Sequence, residues 1–405
     1  MISATPARFL VRLTVVFGLS LPGPIGTAAE RPPVLAHTMP WYASKPVSGA
    51  WGWHWTMDRF DPDTIRPDGR REAASHDEPL IGLYDSGDPA VLECQALQMK
   101  LAGLDGVVVD WYGIRDHLDY AMAHRNTERL ISAVKRAGLR FAICYEDQAV
   151  GRMIRDGVLA EADAVAHGRE TLRWMDEHWF SDPAYLAWEE RPALLVFGPQ
   201  YFDREQWTAL RRGLKRPPRL FGLPHLFAGA GFDGAYGWPP VSGGETVPPE
   251  RWRRELDALH AGGRAIGVAF PGFHDIYREA GVHDSYGFID ARDGRTFAET
   301  LELALGSGAP FVQIATWNDH GEGTTIEPTR GHGYRYLEIL RRRLAPRDPD
   351  GNAVTDEHLR LPARLFDLRK KSGIAPDPRL DAIADLLFEG RCAEAAKGLA
   401  DFPEP

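Results

Sequence analysis

From about residue 34 to about residue 345 the chain repeats one pattern, a short run of consecutive apolar residues followed by a longer amphipathic stretch. The runs are Val34–Tyr42, Gly106–Gly113, Leu139–Asp147, Ala193–Gly198, Arg219–Leu226, Gly234–Trp238, Ala265–Phe273 and Phe311–Trp317. Most are apolar at successive rather than alternating positions, which is how parallel strands covered on both faces read. The stretches between them carry helix signals. Asp88-Pro89 reads as an N-cap with proline at the first helical position, and Val91, Leu97 and Leu101 form an apolar stripe that stops at Gly103. Leu130, Ile131, Val134 and Ala137 form the next stripe, stopping at Gly138 before the third run. Eight strands alternating with helices over roughly 310 residues predict a (β/α)8 barrel, in the α/β class. A doubly wound open sheet is the rival, but no glycine-rich phosphate turn follows the first strand. Phe227–Asp233 is too short for a full helix between the fifth and sixth strands.

The barrel is expected to occupy residues 30–345. Before it, Arg8 and Arg12, the apolar run Leu13 to Leu21, and Thr27-Ala28-Ala29 resemble an export signal over residues 1–29. That run is too short for the ~20 apolar residues of a membrane span. A secreted or periplasmic protein starting near Glu30 follows. Beyond Arg343, residues 346–352 form a Pro/Asp/Gly linker. Leu361, Leu365 and Leu368, then Ile383, Leu386, Leu387 and Ala395, predict short helices, so residues 346–405 read as a linker and a structural helical appendage.

A net charge of −10 argues against a nucleic-acid partner, because phosphate binding needs concentrated Lys and Arg, and it favours a neutral ligand. No segment after the signal reads as a membrane span, and a monomer is expected. Of three cysteines, Cys94 falls in a helical pattern and Cys144 in a buried strand, so both read as small core residues; with Cys392 they give neither a disulfide framework nor metal-ligand spacing.

Barrels of this kind carry their sites at the carboxyl ends of the strands, and polar and aromatic residues concentrate there. The candidates for substrate binding are His37, Trp41 and Tyr42 after strand one, Trp53 and His54 in its long loop, and Asp110, Trp111 and Tyr112 after strand two. Tyr145 and Glu146 follow on strand three, Tyr236 and Trp238 on strand six, His274 on strand seven, and Trp317 and Asn318 on strand eight. Flat aromatic faces suit the CH faces of sugars. Trp51, Trp53 and Trp55 are expected to line a groove at the barrel mouth. The sharpest segment is Trp317-Asn318-Asp319-His320-Gly321-Glu322-Gly323. Asp319 and Glu322, three positions apart, lie within ~10 Å of one another at Cα, which suits two carboxyls flanking one glycosidic bond. The alternative is that Asp319 caps a turn and Glu322 is a solvated loop residue. His37, His54, His225 and His274 raise the question of a metal. Barrel metallohydrolases commonly carry His-x-His after strand one, where this chain has His37-Thr38-Met39, so no metal and no cofactor is expected.

Thr316-Trp317-Asn318-Asp319-His320-Gly321-Glu322 resembles the T-W-N-D-Y-G-E segment of glycoside hydrolase family 71, the fungal-type α-1,3-glucanases. Continued through Gly323-Thr324-Thr325-Ile326-Glu327-Pro328, it resembles the W-N-E-W-H-E-G-T-Q-I-E-P segment of family 99, the endo-α-mannanases and mannosidases. His37 to Tyr42 and Asp110 to Gly113 are similar to the first two strand ends of the same group. The resemblance implies a metal-free barrel glycosidase with Glu322 as general acid and Asp319 as general base. Family 99 has Glu where this chain has Asp319, and the shorter side chain makes activation of a water as plausible as removal of the sugar's own 2-hydroxyl proton. The expected function is therefore endo-hydrolysis of an α-linked neutral glycan. A non-catalytic carbohydrate-binding barrel would keep the aromatics and lose the carboxylate pair, which is present here. A metal-dependent deacetylase or amidohydrolase would differ in metal content.

Overall fold

The computed structural model describes Met1 and residues 31–344, 354–372 and 377–402. The expected export signal and linker lie outside these residues.

Eight strands run parallel in one closed sheet: β1 Val34–Thr38, β2 Gly106–Trp111, β3 Arg140–Tyr145, β4 Arg191–Val196, β5 Arg219–Gly222, β6 Gly234–Tyr236, β7 Ala265–Ala269 and β8 Val312–Ile314. Each pairs with its sequence neighbours, and β8 pairs with β1 (Val34 opposite Val312), which closes the (β/α)8 barrel predicted from the alternation. Around it lie α1 Pro89–Ala102, α2 Tyr120–Arg136, α3 Gln148–Arg155, α4 Ala164–His178, α5 Arg204–Arg211, α6 Pro249–Ala261, α7 Arg295–Gly306 and α8 Arg335–Leu344. Asp88 caps α1 as read from the sequence, its carboxylate accepting from the Ala90 N–H at 3.0 Å, and Gly103 ends it with φ 87°. Between β5 and β6 there is only the single turn Phe227–Ala230.

Successive residues of each strand face opposite sides, and that parity divides the core. Inward residues such as Leu35, Val108, Cys144, Phe221, Tyr236 and Ile266 fill the barrel. Outward residues, among them Val107, Val109, Trp111, Phe141, Ile143 and Tyr145, pack under the helices. The strands stop earlier at the mouth than their apolar runs do: β1 ends at Thr38, β7 at Ala269 and β8 at Ile314. The following residues leave the ladder to build the site. A small ribbon, Phe273–His274 with Gly287–Ile289 and Glu245–Thr246, rises beside β7.

After the barrel, α9 Leu361–Ser372 packs against α1, and α10 Pro378–Phe388 and α11 Cys392–Ala400 pack on α9 and on each other. Leu365, Leu368, Leu380, Ile383 and Leu399 belong to the same buried cluster as the helix-covered face of the sheet, so the appendage extends the barrel's core. All three cysteines are buried and unpaired. Among the described residues no helix is long and apolar enough to cross a membrane.

Candidate active site at the barrel mouth

The turn after β8 is held from behind. The Asn318 side chain accepts from the Met39 N–H at 2.7 Å and donates to the Met39 carbonyl at 3.0 Å, clamping the β8 turn to the end of β1. The Tyr42 hydroxyl donates to the Asn318 carbonyl (2.8 Å) and accepts from the His320 N–H (3.0 Å). Glu327, almost wholly buried, accepts from Tyr84 Oη at 2.9 Å and Gln95 Nε2 at 2.7 Å and faces His320 Nε2 at 3.3 Å. Gly323 has φ 64°, and a Cβ there would lie 2.5 Å from the His274 carbonyl, so the close approach of this turn to the ribbon requires glycine. The His274 and Ile276 N–H groups donate to the Glu322 and Gly321 carbonyls at 2.9 Å each.

What this scaffold presents is a small cavity of about 220 Å³, lined by Trp41, Tyr42, Trp53, His54, Asp110, Tyr112, Glu146, Trp238, Asp319 and Glu322 among others. Ten of the seventeen residues expected at the site therefore meet in one place. Asp319 does cap the turn, Oδ1 accepting from the Glu322 N–H at 3.0 Å, and it also lines the cavity; the two readings of this residue hold together. Glu322 is partly buried rather than solvated, and its Oε2 accepts from Trp238 Nε1 at 2.9 Å.

Burial raises the pKa of both carboxyls, but their surroundings then separate them. The backbone N–H groups of Glu322 and Gly321 favour charge on Asp319 and pull its pKa back down. Glu322 stays well above the ordinary glutamate range, because burial is reinforced by the negative charge of Asp319 and outweighs the Trp238 hydrogen bond. Of the two, Glu322 is the more easily protonated and Asp319 the more easily charged. A second pair sits across the cavity. Asp110 and Glu146 are hydrogen-bonded; burial, then the charge of Glu146, pushes Asp110 well up, while burial raises Glu146 against the hydrogen bonds from Asp110 and Gln148.

Seven expected site residues are placed elsewhere, and strand parity accounts for two of them. Because Asp110 and Glu146 point inward, Trp111 and Tyr145 must point outward; Trp111 packs on Trp174 and Trp179 beneath the helices, and Tyr145 against Trp207. Trp317 joins the same outer cluster. His37 and Tyr236 do point inward, but one layer below the cavity. The His37 ring faces Gln313 Oε1 through Nδ1 at 3.2 Å, and burial lowers its pKa to about 4, so it is neutral. The Tyr236 hydroxyl donates to the Val196 carbonyl at 3.1 Å. Asn318 is the clamp described above. His274 stacks on His76, ring centres 3.7 Å apart, on the outer side of the ribbon. Of Trp51, Trp53 and Trp55 only Trp53 lines the cavity: Trp55 is fully buried with Nε1 donating to the Tyr84 carbonyl at 2.8 Å, and Trp51 donates to Asp63 at 3.0 Å.

Sequence reading missed Met57, Gln148, Phe197, Tyr277 and Tyr286, which also line the cavity. Gln148 lies three residues past the end of β3 and Tyr277 eight past the end of β7, so the strand-end rule reaches them only when extended that far. Tyr286 arrives on the ribbon, which no periodic pattern marks. Among the described residues, His37, Asp110 and Cys144 could offer a metal three ligand atoms within 4.8 Å of one another, all buried. Burial raises the acid pKa of both Asp110 and Cys144, which disfavours their ligating anions.

Comparisons agree with this architecture. A GH99 endo-alpha-mannosidase from Bacteroides thetaiotaomicron superposes with a TM-score of 0.57 at 18% identity, over 77% of this chain and 95% of that one. A protein described as glycoside hydrolase-like superposes at 0.56 with 12% identity, over 80% and 97%. In sequence the chain is similar to a glycoprotein endo-alpha-1,2-mannosidase-like protein of Danio rerio, 23% identical over 76% of this chain and 73% of that protein. It is also similar to the uncharacterized protein WxcX of Xanthomonas campestris, 24% identical over 68% of this chain and 44% of that protein. Residues 230–347 match a family model described as a domain of unknown function, DUF5010. The expected likeness to the family 99 glycoside hydrolases is thus found in both fold and sequence.

Proposed function

We propose that the chain hydrolyses an α-linked neutral glycan, with α-mannans as the leading substrate class, by carboxylate general acid–base catalysis. The observation that carries this reading is the Asp319–Glu322 pair, two neighbouring carboxyls on one rigid turn that line one cavity, with surroundings that favour the proton on Glu322 and the charge on Asp319. Glu322 gives its proton to the glycosidic oxygen as the bond to the anomeric carbon breaks. Asp319 takes a proton from the attacking water, or from the sugar's 2-hydroxyl if that group attacks first. The endo-alpha-mannosidase relatives support the choice of mannan and of internal cleavage. Trp53, Trp41 and Tyr112 would offer flat faces to the sugar rings, and Asp110 with Glu146 would accept from its hydroxyls. Export to the periplasm or outside the cell is part of the same proposal, resting on the signal-like pattern of residues 1–29. It is tested by whether the mature protein begins near Glu30.

The deciding experiment incubates the purified protein with α-mannans, α-glucans and mixed polysaccharides. Oligosaccharide products from α-mannan, lost in both Glu322→Gln and Asp319→Asn, are expected. Release of acetate or ammonia instead, dependent on added metal, would move the protein to the deacetylase or amidohydrolase class. Binding without turnover would make it a carbohydrate-binding barrel.

A further inference from the structure

The Glu322 carboxyl is held by a residue from another strand end. Trp238, two positions past β6, donates from Nε1 to Glu322 Oε2 at 2.9 Å, and among the described residues no other side chain donates to this carboxyl. An indole N–H donates and never accepts. Oε2 is therefore the accepting oxygen, and when the acid is protonated its proton sits on Oε1.

Trp238 is itself fixed from several sides. His37 on β1 and Phe197, just past β4, meet its ring edge-on at 5.0 and 5.2 Å. The backbone before it is held as well. Gln313 Nε2 donates to the Gly237 carbonyl at 2.6 Å, which leaves Oε1 of the same amide to accept from His37 Nδ1 at 3.2 Å. A Cβ on Gly237 would lie 2.5 Å from Val268 Cγ1, so the close packing here calls for glycine. His37 and Gln313 are fully buried beneath the cavity, where carbon would fill the barrel without the desolvation that polar groups suffer. Their bonds lead instead to the residue before Trp238.

We propose that Trp238 is a positioning residue for the general acid, holding Oε2 so that the protonated Oε1 faces the glycosidic oxygen, and that His37 and Gln313 hold Trp238 in place from the barrel floor. This rests on Glu322 being the acid. An N–H donated to a carboxyl favours its charged form, so Trp238→Phe should raise the pKa of Glu322. The acid works only while protonated, and the alkaline limit of kcat on α-mannan should therefore move upward by about one pH unit. kcat should also fall roughly tenfold or more. α-Mannobiosyl fluoride, whose departure needs little protonation, should be nearly unaffected. Gln313→Met and His37→Phe keep bulk, remove the floor bonds and should act in the same direction, more weakly. Asp319, Asp275, Glu146, Tyr277 and Tyr286 face Glu322, with His274 on the ribbon and His225, Glu255 and Arg264 along the cavity on its other side, and these variants change none of them. Equal losses on both substrates with the limit unmoved would overturn the proposal.

A second readout needs no hydrolysis. The Trp238 indole N–H resonance, identified by its absence from Trp238→Phe, should move as Glu322 titrates and lose that movement in Glu322→Gln. Most of the response should also vanish in Gln313→Met and His37→Phe. A resonance indifferent to Glu322, or one keeping its full response in both floor variants, would overturn the proposal. If Glu322→Gln keeps full activity on glycan, the acid reading fails separately, and the resonance still decides whether the floor holds Trp238 on Glu322.

Discussion

The turn after β8 and the loop after β1 both supply the cavity, but they differ in how much ring packing and exposure they carry. Between Thr316 and Glu327 almost every polar group is engaged: Thr316 with Thr324 at 3.0 Å, Asn318 with the end of β1, and Glu327 with three partners behind the turn. The β1 loop adds ring packing to its hydrogen bonds, with Tyr42 against Trp55 at 4.2 Å and Trp41 stacked on His54 at 4.3 Å, beside the Ser44 N–H and Ser48 hydroxyl donating to Asp85. Its tip stays open, Trp53 being 41% exposed. The proposed catalytic carboxyls sit on the turn after β8, and the aromatic proposed to meet the glycan sits on the exposed tip of the β1 loop.

The largest effect is expected from the anchor of the rigid turn. Glu327→Ala leaves Tyr84, Gln95 and His320 facing a void and should cost about 3 kcal/mol in urea unfolding, with activity falling alongside. A loss below ~1 kcal/mol would show that the turn is held by something else, and the contrast with the β1 loop would weaken.

The pH dependence of stability comes next. Asp110, Glu146, Asp319 and Glu322 all have folded pKa values raised by burial, so above the unfolded carboxyl range the native state binds more protons than the unfolded one. Stability contributed by such groups is lost as pH rises. His37 acts in the opposite sense, but only between its lowered value of about 4 and the ordinary 6.5. From pH 6.5 to 8 the carboxyl slope should stand alone: urea midpoints fall with rising pH, and fall less steeply in Asp110→Asn. Midpoints that rise over this window would contradict the buried carboxyl arrangement.

The smallest change in stability is expected at the open tip. Trp53→Ala should shift unfolding by less than ~0.5 kcal/mol, while raising KM for polysaccharide roughly three- to tenfold through a lost stacking face worth ~0.5–1.5 kcal/mol. An effect of core size on unfolding would make Trp53 a packing residue like Trp55.

The barrel was legible because parallel strands buried on both faces leave uninterrupted apolar runs, and those of β2, β3 and β8 mark the sheet within one to three residues at most ends. The carboxyls were legible for a related reason: a charged residue at the end of such a run has few structural uses. Aromatic residues gave no such discrimination. Trp111 and Asp110 are adjacent in sequence and both suit a sugar site, yet parity sends one to the cavity and the other beneath α2 and α4. Because the strands end before their apolar runs do, parity could not be counted from the runs alone. Tyr236 and His37 fail for depth rather than direction, since they point inward one layer too low. Tyr286 was out of reach because the ribbon that delivers it pairs over only a few residues.

Whether Glu322 is the proton donor can be read from how its loss depends on what leaves. Glu322→Gln keeps the shape and removes the proton, so hydrolysis of α-mannan should fall by roughly 10²–10⁴-fold. α-Mannobiosyl fluoride, whose leaving group needs little protonation, should be cleaved at nearly the unmodified rate. Asp319→Asn should slow both substrates. Equal losses on glycan and fluoride in Glu322→Gln, or near-normal rates on both with the protein folded, would contradict the assignment and move the chemistry to Asp110 and Glu146.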